Sequence, residues 1–191
     1  MEKWSLYKIR EKALNSGRSV FSIGELSNLI SKKKSITTVY ASRLVEKGLA
    51  KKLLKGKISF DEDNFVIASQ LIEPSYITAA SALNLWGLIQ QVPAKIDCVT
   101  TKRSICYKKF GVNYHMVQNS LFYGYKRKNK SGSYIMIAEP EKALIDGIYL
   151  NILPKTIVKE IITNLDIKKL KQYKKRFTGR GKKKIEEMIK C

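Results

Sequence analysis

The chain has 191 residues, of which 37 are Lys or Arg and 16 are Asp or Glu, giving a formal net charge of +21. A hydrophobic fraction of 44 % excludes a wholly disordered chain and suits one medium domain with a small module. The charge imbalance favours a polyanionic or acidic partner.

Several protein classes are disfavoured at once. The first five residues contain no apolar h-region, so we expect no secretory signal, and the least polar stretch, 79–89, is about half as long as a bilayer span. The three cysteines, Cys98, Cys106 and Cys191, form no C-x-x-C pair, which argues against a disulfide scaffold or a zinc ribbon. We therefore expect a cytoplasmic protein with reduced thiols and no membrane association.

Residues 1–62 predict a small basic module. Apolar residues at helical spacing indicate one helix over 3–16 and a second helix before a polar turn at 31–35. Ser35 is the predicted N-cap of a third helix, which Gly48 ends, and two short strands around Lys55-Gly56-Lys57 form a hairpin. This order is typical of a winged helix-turn-helix, whose third helix enters the major groove of DNA.

The charge distribution agrees with DNA binding by this module, because nine Lys or Arg residues and a single acid lie between Ser31 and Lys57. The predicted DNA contacts lie on the turn, the third helix and the hairpin: Lys32, Lys33, Lys34, Ser35, Thr38, Ser42, Arg43, Lys55 and Lys57. We expect the lysines at phosphates, whereas Arg43 is the one side chain of the third helix suited to a bidentate contact with guanine.

The sequence leaves two phases of the third helix open. In the first phase the core residues are Ile36, Val39, Tyr40 and Leu44, and Ser35, Thr38 and Ser42 point outward. In the second phase the core residues are Thr37, Ala41, Leu44 and Val45, and Ser35, Val39, Ser42 and Arg43 point outward.

Residues 63–191 predict a mixed domain with an antiparallel sheet flanked by helices and a basic helical tail, so the fold class is α+β. Asn64 is the predicted cap of a helix through Leu71, and an apolar helix follows over 77–89. Short extended runs are predicted at 96–99, 111–117, 121–126 and 134–138, with a loop at 127–132, and helices at 140–149 and 154–165. In the tail, Leu170, Tyr173 and Phe177 share one helical face.

No catalytic constellation is recognisable. His115 is the only histidine, and Gly179-Arg180-Gly181-Lys182 lacks the first half of a P-loop. The acids of the predicted sheet domain are Asp97, Glu139, Glu141 and Asp146, whose spacing fits no metal-dependent nuclease. We expect Glu139 and Glu141 to cap a helix and Asp146 to pair with a base, and we predict no enzymatic activity, no metal and no cofactor.

Three landmarks carry a family resemblance: Ser75-Tyr76-Ile77 with 81–83 and 86–89, Phe110-Gly111 before Tyr114, and the stretch 137–146 (IAEPEKALID). Together they resemble the AbiEi-type antitoxins of abortive-infection toxin–antitoxin loci. The resemblance implies a winged helix that binds the promoter of its own operon and a second domain that counters a cognate nucleotidyltransferase toxin. In the hairpin the chain departs from the family, which has an aromatic residue where Ile58 stands.

Two functions therefore stay open. The first is a DNA-binding transcriptional regulator with antitoxin activity, acting on double-stranded operator DNA as a monomer or a dimer. The alternative is a nucleic-acid-processing or RNA-binding protein whose main contact is the basic tail, which carries eleven Lys or Arg and three acids from Asp166 onward.

Overall fold

The computed structural model of the protein describes residues 4–189 and has the predicted α+β fold. It divides into two compact units. Within the described residues, the first contains residues 4–71 together with Asn129–Ile135, and the second contains Ile72–Lys128 and residues 136–189. Within the described residues, no helix has the length and apolar character needed to cross a membrane.

The first unit contains four helices and three strands: α1 (Leu6–Asn15), β1 (Val20–Ser22), α2 (Ile23–Ile30), α3 (Lys34–Glu46), β2 (Lys51–Leu54), β3 (Lys57–Ser59) and α4 (Asn64–Leu71). Strand β3 pairs antiparallel with both β1 and β2, so the order in the sheet is β1-β3-β2. The predicted helices and the predicted hairpin at Lys55-Gly56 are confirmed.

Two predicted helix caps are wrong, the cap of α3 by two residues and the cap of α4 by one. Helix α3 begins at Lys34, so Ser35 lies inside the helix, and the N-cap position belongs to Lys33, whose side chain makes no capping bond. Helix α4 is capped by Asp63 and not by Asn64, because Asp63 Oδ1 accepts hydrogen bonds from the backbone N–H groups of Phe65 and Val66 at 2.8 and 3.3 Å.

The core of the first unit gathers apolar residues from its helices and its sheet: Ile9, Ala13, Phe21, Leu26, Ile30, Ala41, Leu44, Ile58 and Phe60. The rings of Phe21 and Phe60 meet edge to face, with centroids 5.8 Å apart. Gln70 is fully buried beside this core, and its Oε1 accepts from the backbone N–H groups of Ser19 and Val20. These bonds hold α4 against the start of β1.

The second unit contains a six-stranded sheet and five helices within the described residues: β4 (Ser75–Ile77), α5 (Ala79–Leu85), β5 (Ile96–Thr100), β6 (Ile105–Tyr107), β7 (Val112–Met116), β8 (Tyr125–Lys130), β9 (Ser133–Ala138), α6 (Pro140–Tyr149), α7 (Lys155–Ile161), α8 (Ile167–Lys174) and α9 (Gly179–Ile189). The strand order is β6-β7-β5-β4-β9-β8, and the tip of the β8–β9 hairpin groups with the first unit.

The prediction of an antiparallel sheet is wrong, because the sheet is mixed. Strand β5 pairs in parallel with β7, and β4 pairs in parallel with β9. The parallel β5–β7 pair arises because the short strand β6 lies between them in the chain and pairs antiparallel with β7. Strands β4 and β6 were not predicted, since three residues are too few to show a period-two pattern and neither strand follows a glycine turn of the kind that marked β3.

Two predicted boundaries in the second unit also change. The helix predicted over 77–89 is α5, which is shorter and ends before Gly87, where φ is +72°. The loop predicted at 127–132 shrinks to Ser131-Gly132, so the basic residues before it belong to β8. The ammonium groups of Lys126 and Lys128 lie 4.8 and 4.4 Å from the ring centre of Trp86, a contact that favours the extended strand.

Helix α6 carries the buried charges of the second unit. Ala143, Leu144 and Ile148 are buried as predicted, and Asp146 pairs as predicted with a base, Lys142. Glu139 occupies the N-cap position but makes no side-chain capping bond, which corrects the prediction. Its carboxylate instead accepts from the Tyr173 hydroxyl and, at 3.1 Å, from the Lys169 ammonium.

Candidate nucleic-acid interface

The burial pattern of α3 decides which of its faces is exposed. Thr37 and Leu44 are fully buried and Ala41 is nearly so, whereas Ile36 and Val39 are 46 % and 49 % exposed. The second of the two predicted phases is therefore confirmed, and the first is wrong. Thr37 suits the core because its hydroxyl donates to the backbone oxygen of Lys33 at 3.0 Å.

Three hydroxyl groups lie on the exposed face of α3. The Thr38 hydroxyl donates to the backbone oxygen of Lys34 at 2.9 Å, so only its acceptor capacity is left. Ser35 and Ser42 are exposed as predicted, and among residues 4–189 their hydroxyls have no hydrogen-bond partner. These two side chains can each donate and accept toward a ligand.

Positive charge dominates around this face, where Glu46 of α3 adds one negative charge. Arg43 is exposed on α3 and forms no ion pair within the described part of the chain. The lysines of the turn before α3 and of the hairpin also form no ion pair there, and all but the half-buried Lys32 are exposed: Lys32, Lys33, Lys34, Lys51, Lys52 and Lys55. Such a surface attracts a polyanion, and the release of counterions from the polyanion contributes favourably to the free energy of binding.

The turn of the β2–β3 hairpin is held close to the start of α2. Gly56 supplies the left-handed backbone that the turn requires, with φ at +73°, and its carbonyl accepts from the N–H of Ile23 at 2.9 Å. Lys55 at the turn is exposed. Lys57 is half-buried, and its ammonium donates to the backbone oxygen of Leu71, so this lysine does not extend into solvent as expected for a phosphate contact.

A groove of about 310 Å³ separates α3 from the hairpin. Thr38, Ser42 and Glu46 line it from α3, and Lys52 and Gly56 line it from the hairpin. The sequence reasoning did not single out Lys51 and Lys52 as contacts. The buried Leu53 is a signal that could have placed Lys52 outward, since neighbouring strand residues point to opposite sides, whereas the same rule places Lys51 on the side of Leu53 although it is exposed.

A capping box fixes the N-terminus of α2, which supports α3. The Ser22 hydroxyl accepts from Glu25 N–H at 3.2 Å, and the Glu25 carboxylate accepts from Ser22 N–H at 2.7 Å. Arg18 lies 3.2 Å from the same carboxylate. Partial burial raises the pKa of Glu25, but hydrogen bonds from the Ser22 side chain and backbone to the carboxylate, together with the Arg18 and Lys57 charges, outweigh it and hold the pKa below its usual value.

The remaining titratable candidates are dispersed. His115 Nε2 lies 2.8 Å from Asp97 Oδ1, which also accepts from the Asn113 amide at 3.2 Å. Asp146 is buried with Lys142, and Glu141 accepts from the backbone N–H of Asp166 at 3.1 Å. Within residues 4–189, no three His, Cys, Asp or Glu side chains come together as metal ligands.

Comparison with known proteins adds no assignment to this geometry. No protein-family model matches the chain, and no curated protein matches it either.

Proposed function

We propose that the protein is a DNA-binding transcriptional regulator whose first unit acts as a winged helix-turn-helix, in the manner of the AbiEi-type antitoxins. One observation carries the proposal: α3 exposes a mixed face of hydroxyls, apolar side chains and Arg43, while its opposite face is buried in the core. A helix of this composition, bordered by unpaired lysines, suits both the base edges and the phosphates of a major groove.

Each group on this face has a proposed task. Arg43 donates two hydrogen bonds to a guanine, and Ser35 and Ser42 donate to or accept from base edges or phosphates. Ile36 and Val39 provide the apolar contact that a thymine methyl group favours, which explains why two large apolar side chains are exposed. Lys33, Lys34, Lys51, Lys52 and Lys55 neutralise phosphates on either side.

The antitoxin role is proposed for the second unit, on the resemblance of its residues 75–146 to that family. A cognate nucleotidyltransferase toxin would be its partner. Co-expression of the chain with the gene beside its own tests this role: growth should be lost with that gene alone and restored by the pair. Growth unaffected by the neighbouring gene alone would contradict it.

Fluorescence anisotropy with the DNA upstream of the gene tests the regulator. Arg43→Ala should reduce the preference for the operator over unrelated DNA by about 1–3 kcal/mol, because a bidentate base contact is lost. The double variant K33Q/K55Q should instead weaken binding to both DNAs alike and flatten the salt dependence, because phosphate contacts are not sequence-specific.

The matched control is K102Q/K108Q, which removes two exposed lysines of the second unit. It should retain the affinity of the parent protein for both DNAs. Equal binding by parent and Arg43→Ala would remove α3 as the specificity element. Stronger binding to structured RNA than to the operator would favour the alternative function, with the basic tail as the main contact.

A further inference from the structure

A cleft of about 640 Å³ in the second unit is lined by three lysines, one glutamate and several apolar side chains. Lys155 and Lys159 line it from α7, and Lys184 and Glu187 line it from α9. Leu153 and Met188 contribute apolar surface, which we call the apolar floor of the cleft. Its volume falls in the range of roughly 300–1,000 Å³ that is usual for small-molecule sites.

Two of the lysines carry like charges on the same face of one helix. Lys155 and Lys159 are four residues apart on α7, so they share one face of the helix, where like charges destabilise it. Within residues 4–189 neither lysine forms an ion pair. A bound anion would relieve this repulsion.

The third lysine is held in place. The Lys184 ammonium donates to Asn151 Oδ1 at 3.1 Å, and Asn151 has a left-handed backbone with φ at +61°, which asparagine tolerates better than most residues. Nearly one turn earlier on α9, a Cβ on Gly181 would lie 2.7 Å from the ring of Tyr149. Helices α9 and α6 are therefore in close contact there. These contacts favour the orientation of Lys184 toward the cleft in the absence of a ligand.

We propose that this cleft binds a nucleoside phosphate, with its phosphates on Lys155, Lys159 and Lys184 and its base on the apolar floor. Three ammonium groups against the one carboxylate of Glu187 leave the cleft positive, which suits a group that carries several negative charges, as a di- or triphosphate does, better than a single carboxylate. The apolar floor favours a ligand with a flat, weakly polar body over inorganic phosphate. This inference does not rest on the proposed function.

Methionine methyl NMR gives a local readout, because Met188 lines the cleft and Met116 lies exposed on β7. Titration of the full-length protein with ADP should shift the Met188 methyl resonance in a saturable manner and leave that of Met116 unchanged. Pyrophosphate should bind more weakly than ADP, because it lacks the nucleoside.

Variants identify the contacts. K155Q/K159Q and Lys184→Met should each weaken ADP binding by about tenfold or more. The matched control K182Q/K183Q, which changes exposed neighbours of Lys184 on α9, should bind ADP like the parent protein. Arg43→Ala should also bind ADP normally, which separates this site from the proposed DNA contact.

Three outcomes would overturn the proposal. These are an unshifted Met188 methyl at millimolar ADP, an equal loss of affinity in the K182Q/K183Q control, and equal affinity for pyrophosphate and ADP. Circular dichroism of each variant distinguishes a lost contact from a lost fold.

Discussion

Lys142 places its ammonium group inside the second unit, where the side chain has no exposed surface. It contacts Asp146 directly and donates to the Tyr76 hydroxyl at 3.0 Å, while Asp146 also accepts from Tyr76 and Thr78 at 2.9 and 3.0 Å. Burial lowers the pKa of Lys142 and raises the pKa of Asp146, and the attraction between the two charges opposes both shifts. Each of the two buried charges is therefore stabilised by the presence of the other.

Asp146→Asn should cost about 3–5 kcal/mol of unfolding free energy, because it leaves a buried ammonium without its counter-charge. Adding Lys142→Met to that variant should restore much of the loss. Urea unfolding followed by Trp86 fluorescence in a Trp4→Phe background measures the second unit alone. A loss below about 1 kcal/mol in the single variant would contradict the mutual dependence of the two charges.

Glu25 makes the first unit sensitive to acid. Its pKa is held below the ordinary value, so the capping box contributes stability above about pH 4.3, the unfolded value, and loses it as pH falls through the folded pKa. Glu25→Gln should lower stability at pH 7 and flatten the decline between about pH 5 and 3. Thermal unfolding followed by Trp4 fluorescence in a Trp86→Phe background checks this, and an unchanged pH slope would contradict it.

Replacing glycine by alanine should have different effects on stability at two helical positions. A Cβ on Gly147 in α6 would lie 2.8 Å from Leu153 Cβ and 3.3 Å from Ala79 Cβ, so Gly147→Ala should destabilise by about 1–3 kcal/mol. A Cβ on Gly24 in α2 would meet Lys34 Cε at 3.7 Å, an ordinary contact. Gly24→Ala should be neutral or stabilising by up to about 1 kcal/mol. Urea titrations of both variants measure the two signs, and destabilisation of equal size in both would contradict this packing argument.

The elements that sequence reasoning found differ physically from those it missed. Helix α1 buries Ile9 and Ala13, which lie four residues apart on one face, and periodicity reveals such a face. The phase of α3 stayed open because apolar residues occur on both of its faces, Ile36 and Val39 on one and Ala41 and Leu44 on the other. If α3 binds DNA, its exposed apolar residues are the functional feature that made its phase ambiguous.

Long-range pairing set the other limit on prediction. Nothing local in the sequence distinguishes parallel from antiparallel neighbours, so the mixed sheet could not be derived. The Lys57 ammonium likewise finds its acceptor fourteen residues away, at Leu71, which a local reading of the hairpin cannot detect. The lysines that stay exposed were easier to predict, because a lysine without a partner keeps its ammonium group hydrated at the surface.

At the scale of the whole molecule, a net charge of +21 predicts strongly salt-dependent binding to DNA. Part of the tail charge is already engaged within the second unit, since Lys174 pairs with Glu186 at 3.3 Å and Arg176 lies 4.2 Å from the ring centre of Tyr123. Lysines that remain exposed on the tail include Lys168, Lys175 and Lys183.

If the tail adds to DNA binding, K168Q/K175Q/K183Q should reduce the slope of log K against log salt by up to about 2.7, at about 0.9 for each phosphate contact. The control K95Q/K102Q/K108Q removes three exposed lysines elsewhere in the second unit and should keep the parent slope. A parent-like slope in the tail variant would limit DNA contact to the first unit.

The position of β4 in the sheet has a consequence for folding kinetics. Its parallel partner, β9, lies about sixty residues later in the chain, whereas β5, β6 and β7 are contiguous in sequence. Closing the longer loop costs more entropy, so we expect the β5–β7 segment to order first. During synthesis, at about 5–20 residues per second, β9 would emerge several seconds after β4, and one edge of β4 would stay unpaired until then. Pulse-labelled hydrogen exchange should therefore detect protection in β5 and β7 before β9, and simultaneous protection would indicate a single cooperative step.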